Sequence, residues 1–237
     1  NYYPNAPFVD VNHNGKYDPK NDGDYPLIKG DQSLFHIYND NGNVHQASQG
    51  NAIGLQINRT VYGYNCDAVV GQYPELLNTT FYYHKIYNRG PNNMNNLYMA
   101  AWSDGDIGVN NDDYVGGNPK LGYGFICNGS NYDADYADKT PSIGTLILKA
   151  PLAPLNDGVD NDNDTIVDEI GEEVLLPRVM YYNHYANQWT NNGPMADPDN
   201  AFQYYNYMKG FWRDGSPLTC GGNGYGGSIM AQSAFTG

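Results

Sequence analysis

Lysine and arginine are scarce in this sequence: 12 together, against 26 aspartates and glutamates, for a formal net charge of -14. Because charged residues make up only 16% of the chain, the acidity comes from missing cations rather than from an unusual load of acids. That shortage excludes nucleic acid and anionic membrane surfaces as partners, since both are held by basic patches that counter phosphate. Cysteine is nearly absent as well. Cys66, Cys127 and Cys220 permit at most one disulfide and match no zinc spacing, so cysteines do not staple this fold. No apolar run is long enough to span a membrane, which argues against membrane insertion, and no signal peptide is visible. The chain opens at Asn1 without a methionine and is expected to be a processed chain or an excised part of a longer one.

Signatures of catalysis are also missing. There is no Gly-x-Ser-x-Gly elbow, no His-Glu-x-x-His, no phosphate loop and no dinucleotide fingerprint. The five histidines, His13, His36, His45, His84 and His184, fall at no metal-ligand spacing, and His84 and His184, in expected strands, read as structural. An enzyme is therefore not expected.

What the sequence does hold is Asn, Gly, Asp and Tyr, with 28 glycines and 23 tyrosines. The first three build turns, whereas Tyr suits a pleated, half-buried surface. With 40% hydrophobic and 14% aromatic residues, the chain has ample material for a core. Alternation predicts strands at Ser33–Tyr38, Ile53–Tyr64, Leu77–Tyr87, Asn96–Ser103, Leu121–Cys127, Gly144–Ala150 and Arg178–Tyr185. The short Asn88–Asn93 turn predicts that Leu77–Tyr87 and Asn96–Ser103 pair antiparallel. One short helix is predicted over Asn200–Lys209, with Asn200 as N-cap and Gly210 as its stop. The expected fold is all-β, an antiparallel β-sandwich with long Asn/Gly/Asp-rich loops, forming one large domain over residues 1–237. Loops that carry calcium are expected near 10–22, 104–113 and 157–173.

Calcium is a hard cation that takes six to eight oxygens, so a loop presenting oxygen side chains at every second residue can wrap it. Asp10, Asn12 and Asn14 stand at positions one, three and five of such a loop, with Gly15 at the sharp turn. The Lys16 carbonyl serves position seven, Asp18 position nine, and Asp22 is the closing candidate one residue late. A second segment repeats the spacing with Asp160, Asp162, Asp164, the Ile166 carbonyl, Asp168 and Glu172, and Thr165 replaces the turn glycine. Asp157 to Glu173 holds eight acids and no lysine or arginine, a density that repels itself unless a cation binds. A third set, Asp104, Asp106, Asp112 and Asp113, can converge if Gly105 and Gly108 let the chain fold back. Paired aspartates there suit either a metal or acid–base glycoside hydrolysis, and metal is the favoured reading.

The first two loops resemble the EF-hand-type loops of dockerin-like and thrombospondin type 3 repeats. The runs Asp10-x-Asn-x-Asn-Gly-x-Tyr-Asp-Pro19, Gly23-Asp-Tyr-Pro26, Lys29-Gly-Asp31, Trp102-Ser-Asp-Gly-Asp-Ile-Gly108, Asp112-Asp-Tyr-Val-Gly116 and Trp212-Arg-Asp-Gly-Ser-Pro-Leu-Thr219 resemble the large proteins that Bacteroidota export by the type IX secretion system. That resemblance spans nearly the whole chain. It implies an extracellular or cell-surface location and a calcium-bearing, β-rich region, and it implies no known activity. The leading expectation is a secreted, calcium-binding structural or adhesive module, such as a subunit of a filament or surface assembly, partnered by itself or by other surface proteins. The alternatives are a glycan-binding module stacking sugars on Trp102, Trp189 and Trp212, and an aspartate-dependent glycoside hydrolase.

Overall fold

The computed structural model describes residues 6–65, 71–109, 112–162, 164–174, 178–182, 193–231 and 233. It is mostly antiparallel β-sheet with one short helix, an all-β fold. The chain divides into two compact units, one of Asn1–His45 and Asn51–Asn95, the other of Gln46–Gly50 and Asn96–Gly237.

In the first unit, β1 (Phe8–Val9) pairs antiparallel with β2 (Tyr25–Pro26), so the first aspartate-rich loop is the crown of a short hairpin. Then β3 (Gln32–Asn39), β4 (Leu55–Gly63) and β5 (Phe81–Asn88) form a meander in that order. Asp40 ties off the β3–β4 connection, its carboxylate accepting the N–H groups of Ile53, Gly54 and Leu55. Gly54 has φ +80°, and a Cβ there would lie 2.7 Å from the Gly90 backbone, so only glycine lets the two turns touch. On β4 the buried positions are Gln56, Asn58 and Thr60, while Leu55, Ile57 and Val61 are only half-buried. The buried column pairs with itself, Gln56 Nε2 donating to Asn58 Oδ1 at 2.8 Å, and Arg89 Nε donates to Gln56 Oε1 at 3.3 Å.

In the second unit, β6 (Asp113–Asn118), β7 (Tyr123–Asn128) and β8 (Ser142–Leu146) form another antiparallel meander. The β6–β7 turn is a 3-10 turn over Pro119–Leu121. Helix α1 (Ala201–Met208) starts where the Asn200 side chain accepts the Gln203 N–H at 3.1 Å, and the chain leaves it through Gly210 at φ +75°. Trp212, with 0% exposure, anchors this unit's core beside Leu218. Its indole N–H donates to the Gly224 carbonyl at 2.9 Å, and the rings of Tyr181 and Tyr225 pack edge-on against it. The glycine-rich stretch after Cys220 is therefore held, its turn closed by Cys220 N–H to the Ile229 carbonyl at 2.8 Å.

Several strand expectations need correction. Asn96–Ser103 is not a strand: Tyr98 packs edge-on against Tyr205 and the Asn96 carbonyl accepts the Tyr205 hydroxyl, so the segment leans on the helical region. β5 pairs instead with β4. Pro74–Asn78 is a 3-10 turn, because Pro74 favours a helical start, and the strand begins only at Phe81. β8 stops at Leu146. Of Arg178–Tyr185, residues 178–182 carry a single bridge, Val179 to Ser233, and 183–185 lie outside the described residues. β6 was not anticipated, since Gly116 and Gly117 obscure its alternation. Gly116 is required there: a Cβ would lie 2.5 Å from the Phe125 ring. Cys127 and Cys220 are unpaired, and Cys66 lies outside the described residues. Among the described residues, no helix is long and apolar enough to cross a membrane.

Candidate metal loops

The first loop is organised by side-chain oxygens that accept backbone N–H groups. Asp10 accepts from Asn14 N at 3.1 Å with Oδ1 and from Gly15 N at 2.6 Å with Oδ2. Asn12 Oδ1 accepts from Asn14 N at 3.1 Å, and Asn14 Oδ1 from Lys16 N at 2.7 Å. Asp22 is drawn to the same cluster, where its Oδ2 accepts from Asn14 Nδ2 at 3.0 Å. Asp18 turns towards Asn21, whose side-chain and backbone N–H groups hold its carboxyl below the usual range.

The second loop has the same framework. Asp160 accepts from Asp164 N at 3.2 Å and Thr165 N at 3.0 Å, Asp162 from Asp164 N at 3.2 Å, and Asp164 from Ile166 N at 2.8 Å. These are the same four contacts at the same offsets as in the first loop. Thr165, in the glycine position, adopts φ +85° where Gly15 adopts +75°, so the turn is kept despite the substitution. The loop is likewise closed by a short stem, with a bridge from Leu152 to Glu173 and Val174 N donating to the Pro151 carbonyl at 2.9 Å.

Each loop also closes on a buried carboxylate. Glu172, 5% exposed, accepts the N–H of Asn161, the residue after the first ligand position. In the first loop that task falls to Asp24, 3% exposed, which accepts Val11 N at 2.9 Å and Asp18 N at 2.8 Å. Asp24 was missed because it lies fourteen residues beyond Asp10 and so outside the expected loop length. The carboxylates of Asp160, Asp162 and Glu172, and those of Asp162, Asp164 and Glu169, each converge within 4.8 Å and could hold a metal ion. Glu169 was counted among the acids but not among the ligands. Its own backbone N–H draws its carboxyl down, yet burial and the charges of Glu172, Asp164 and Asp162 outweigh that and push it up. Its Oε2 is buried with no hydrogen-bond partner. Asp168 belongs to neither cluster and accepts Gly158 N at 3.2 Å, while Ile166 donates its backbone N–H to Asp164 and exposes its side chain.

The third set gathers at the open end of the β6–β7 pair, where Asp113 lies opposite Asn128. Asp112 Oδ1, Asp113 Oδ1 and Asn128 Oδ1 are all buried without a hydrogen-bond partner. Each such acceptor costs about 1–3 kcal/mol if nothing satisfies it. Burial pushes the Asp113 carboxyl up, with Asp112, Asp133 and Asp106 adding repulsion and only the Ile107 N–H opposing. Buried Asp133 is held low chiefly by the Val109 N–H, with those of Tyr136 and Asp135. Gly108, at φ +72°, lies so close to that carboxylate that a Cβ would collide with it. The structure thus places Asp112, Asp113 and Asn128 at one strand end, with Asp106 and Asp133 within electrostatic reach of Asp113, but among the described residues these carboxylates do not converge as closely as those of the second loop. Asp104 instead lies within electrostatic reach of the Tyr182 hydroxyl. Of the tryptophans considered for sugar stacking, Trp102 is exposed, Trp212 is sealed in the core, and Trp189 lies outside the described residues.

Comparisons with protein-family models, with curated proteins and with solved structures found no match. What these loops can do is read from their own chemistry. The candidate ligands named above are carboxylate, amide and backbone carbonyl oxygens, and such sets suit hard divalent cations.

Proposed function

We propose that this protein is a secreted, calcium-loaded structural or adhesive module of a bacterial surface assembly, exported by the type IX system of Bacteroidota, and that it has no catalytic role. The observation that carries this reading is the hydrogen-bond framework common to the two loops, each closed by a buried carboxylate. Carboxylates packed this closely repel one another, and a bound divalent cation turns that repulsion into cohesion. Calcium then acts by fixing long Asn/Gly/Asp loops that would otherwise lose much of the stability gained from a modest core. The buried, unpartnered oxygens of Asp112, Asp113 and Asn128 support a third site of the same kind.

Thermal melting of the purified chain in excess calcium and in chelator tests the reading. Calcium at about 100 times its dissociation constant should add about 2.7 kcal/mol per site, a rise of several degrees in Tm. Asp10→Ala and Asp160→Ala should each remove part of the gain. A melt indifferent to chelator would return the aspartates to solvated loops.

A further inference from the structure

An asparagine side chain can be lost to its own backbone, when the N–H of the next residue attacks the amide carbon. The attack is easiest before glycine, which has no Cβ in the way. Asn14, Asn41, Asn128, Asn192 and Asn223 each precede a glycine, and Asn192 lies outside the described residues. At two of the other four the glycine N–H is engaged by a backbone carbonyl, Gly129 by that of Asp112 at 2.8 Å and Gly224 by that of Gly221 at 3.0 Å. A carbonyl cannot take up the proton that the attack releases. Asn41 is exposed, but the neighbouring Asp40 carboxylate is occupied by the N–H groups of Ile53, Gly54 and Leu55.

At Asn14 all three reacting atoms have a partner suited to the step. The Gly15 N–H donates to Asp10 Oδ2 at 2.6 Å, so the attacking nitrogen already faces a carboxylate base. Asn14 Oδ1, where negative charge develops, accepts the Lys16 N–H at 2.7 Å. The leaving nitrogen, Nδ2, donates to Asp22 Oδ2 at 3.0 Å, beside a charge that favours the ammonium it becomes.

We propose that the first loop deamidates its own Asn14, with Asp10 as the base. Asp10 Oδ2 takes the Gly15 proton as the nitrogen bonds to Asn14 Cγ, and the Lys16 N–H holds the resulting oxyanion. The Cγ–Nδ2 bond then breaks, Nδ2 takes the proton back from Asp10 and leaves as ammonia, and a cyclic succinimide remains. Water opens that ring at either carbonyl and leaves an aspartyl or isoaspartyl linkage at position 14. The second loop shows that the aspartyl product fits the framework: Asp164 stands at the matching position, and its Oδ1 accepts the Ile166 N–H at 2.8 Å. The product adds a carboxylate to the loop and exchanges the hydrogen bond to Asp22 for a repulsion. Its effect rests on the calcium reading of this loop: less stability in chelator, and a larger gain from calcium, because affinity rises with ligand charge.

Peptide mapping by mass spectrometry of the full chain, aged in chelator either folded or in denaturant, tests the chemistry. In denaturant the four pairs should deamidate at similar rates. Folded, Asn14 should outrun Asn41, Asn128 and Asn223 about tenfold or more, and should exceed its own rate in denaturant. Asp10→Asn keeps an oxygen for the Gly15 N–H but cannot take its proton, and should bring Asn14 down to the rate of Asn41. A folded Asn14 no faster than in denaturant, which needs no variant to observe, would overturn the proposal, as would an Asp10→Asn chain that reacts like the wild type. Asn14→Asp should melt below the wild type in chelator and gain more from calcium. Selective loss of Asn14 with a melt indifferent to calcium would condemn only the calcium reading. A calcium-dependent melt with Asn14 intact would condemn only the deamidation.

Discussion

Aspartate does two different jobs in this protein, and its hydrogen bonds tell them apart. Burial pushes the Asp214 carboxyl up, but the Ser216 N–H at 2.9 Å, the Ser216 hydroxyl and the Tyr225 hydroxyl at 2.8 Å outweigh it and hold the carboxyl below its usual value of 3.8. A carboxyl depressed on folding stabilises the native state above its unfolded pKa, and that stability is lost as pH falls through the folded value. Asp214→Asn should therefore lower Tm at neutral pH and flatten the loss of stability as pH falls below about 4. Melting of both proteins across that range checks it; parallel curves would mean that Asp214 contributes nothing through its charge. Asp113 is the opposite case, pushed up by burial and by Asp112, Asp133 and Asp106, with only the Ile107 N–H opposing.

At the scale of the element, each loop is a hairpin crown whose tip is set by side chains and whose base is set by a buried acid. In the first loop Asp24 closes the base and Asp22 joins the tip. Asp24→Ala leaves the Val11 and Asp18 N–H groups without their acceptor. It should cost about 1–3 kcal/mol even in chelator. Asp22→Ala should barely change the chelated melt but should reduce the calcium-dependent gain. Equal effects of the two variants in chelator would show that the loop has no such division. The tip residues were legible because oxygen side chains at alternate positions are a local pattern written into spacing. Asp24, Asn128 and Asp133 were not legible, since what qualifies them is burial and the approach of distant backbone.

Across the whole molecule, the formal charge of -14 sets the ionic response. Self-repulsion among exposed acids is screened once the Debye length shrinks, from roughly 10 Å at 0.1 M salt to 3 Å at 1 M. In chelator, raising the NaCl concentration over that range should raise Tm, and in calcium the rise should be smaller because part of the charge is already neutralised. A chelated Tm that falls with salt would show that attractive pairs, such as Arg213 with Asp199, outweigh the repulsion.

Composition and spacing determined the all-β class, the three central strands, the short helix with its Asn200 cap, and two loops of alternating oxygens, because each depends on residues close in sequence. The tertiary structure decided the rest. It moved Asn96–Ser103 out of the sheets and against the helical region, buried the polar column Gln56–Asn58–Thr60 rather than its apolar neighbours, and gathered Asp112, Asp113 and Asn128 at one end of a strand pair. Burial and long-range pairing are properties of the whole chain, and a pattern read along a few residues cannot contain them.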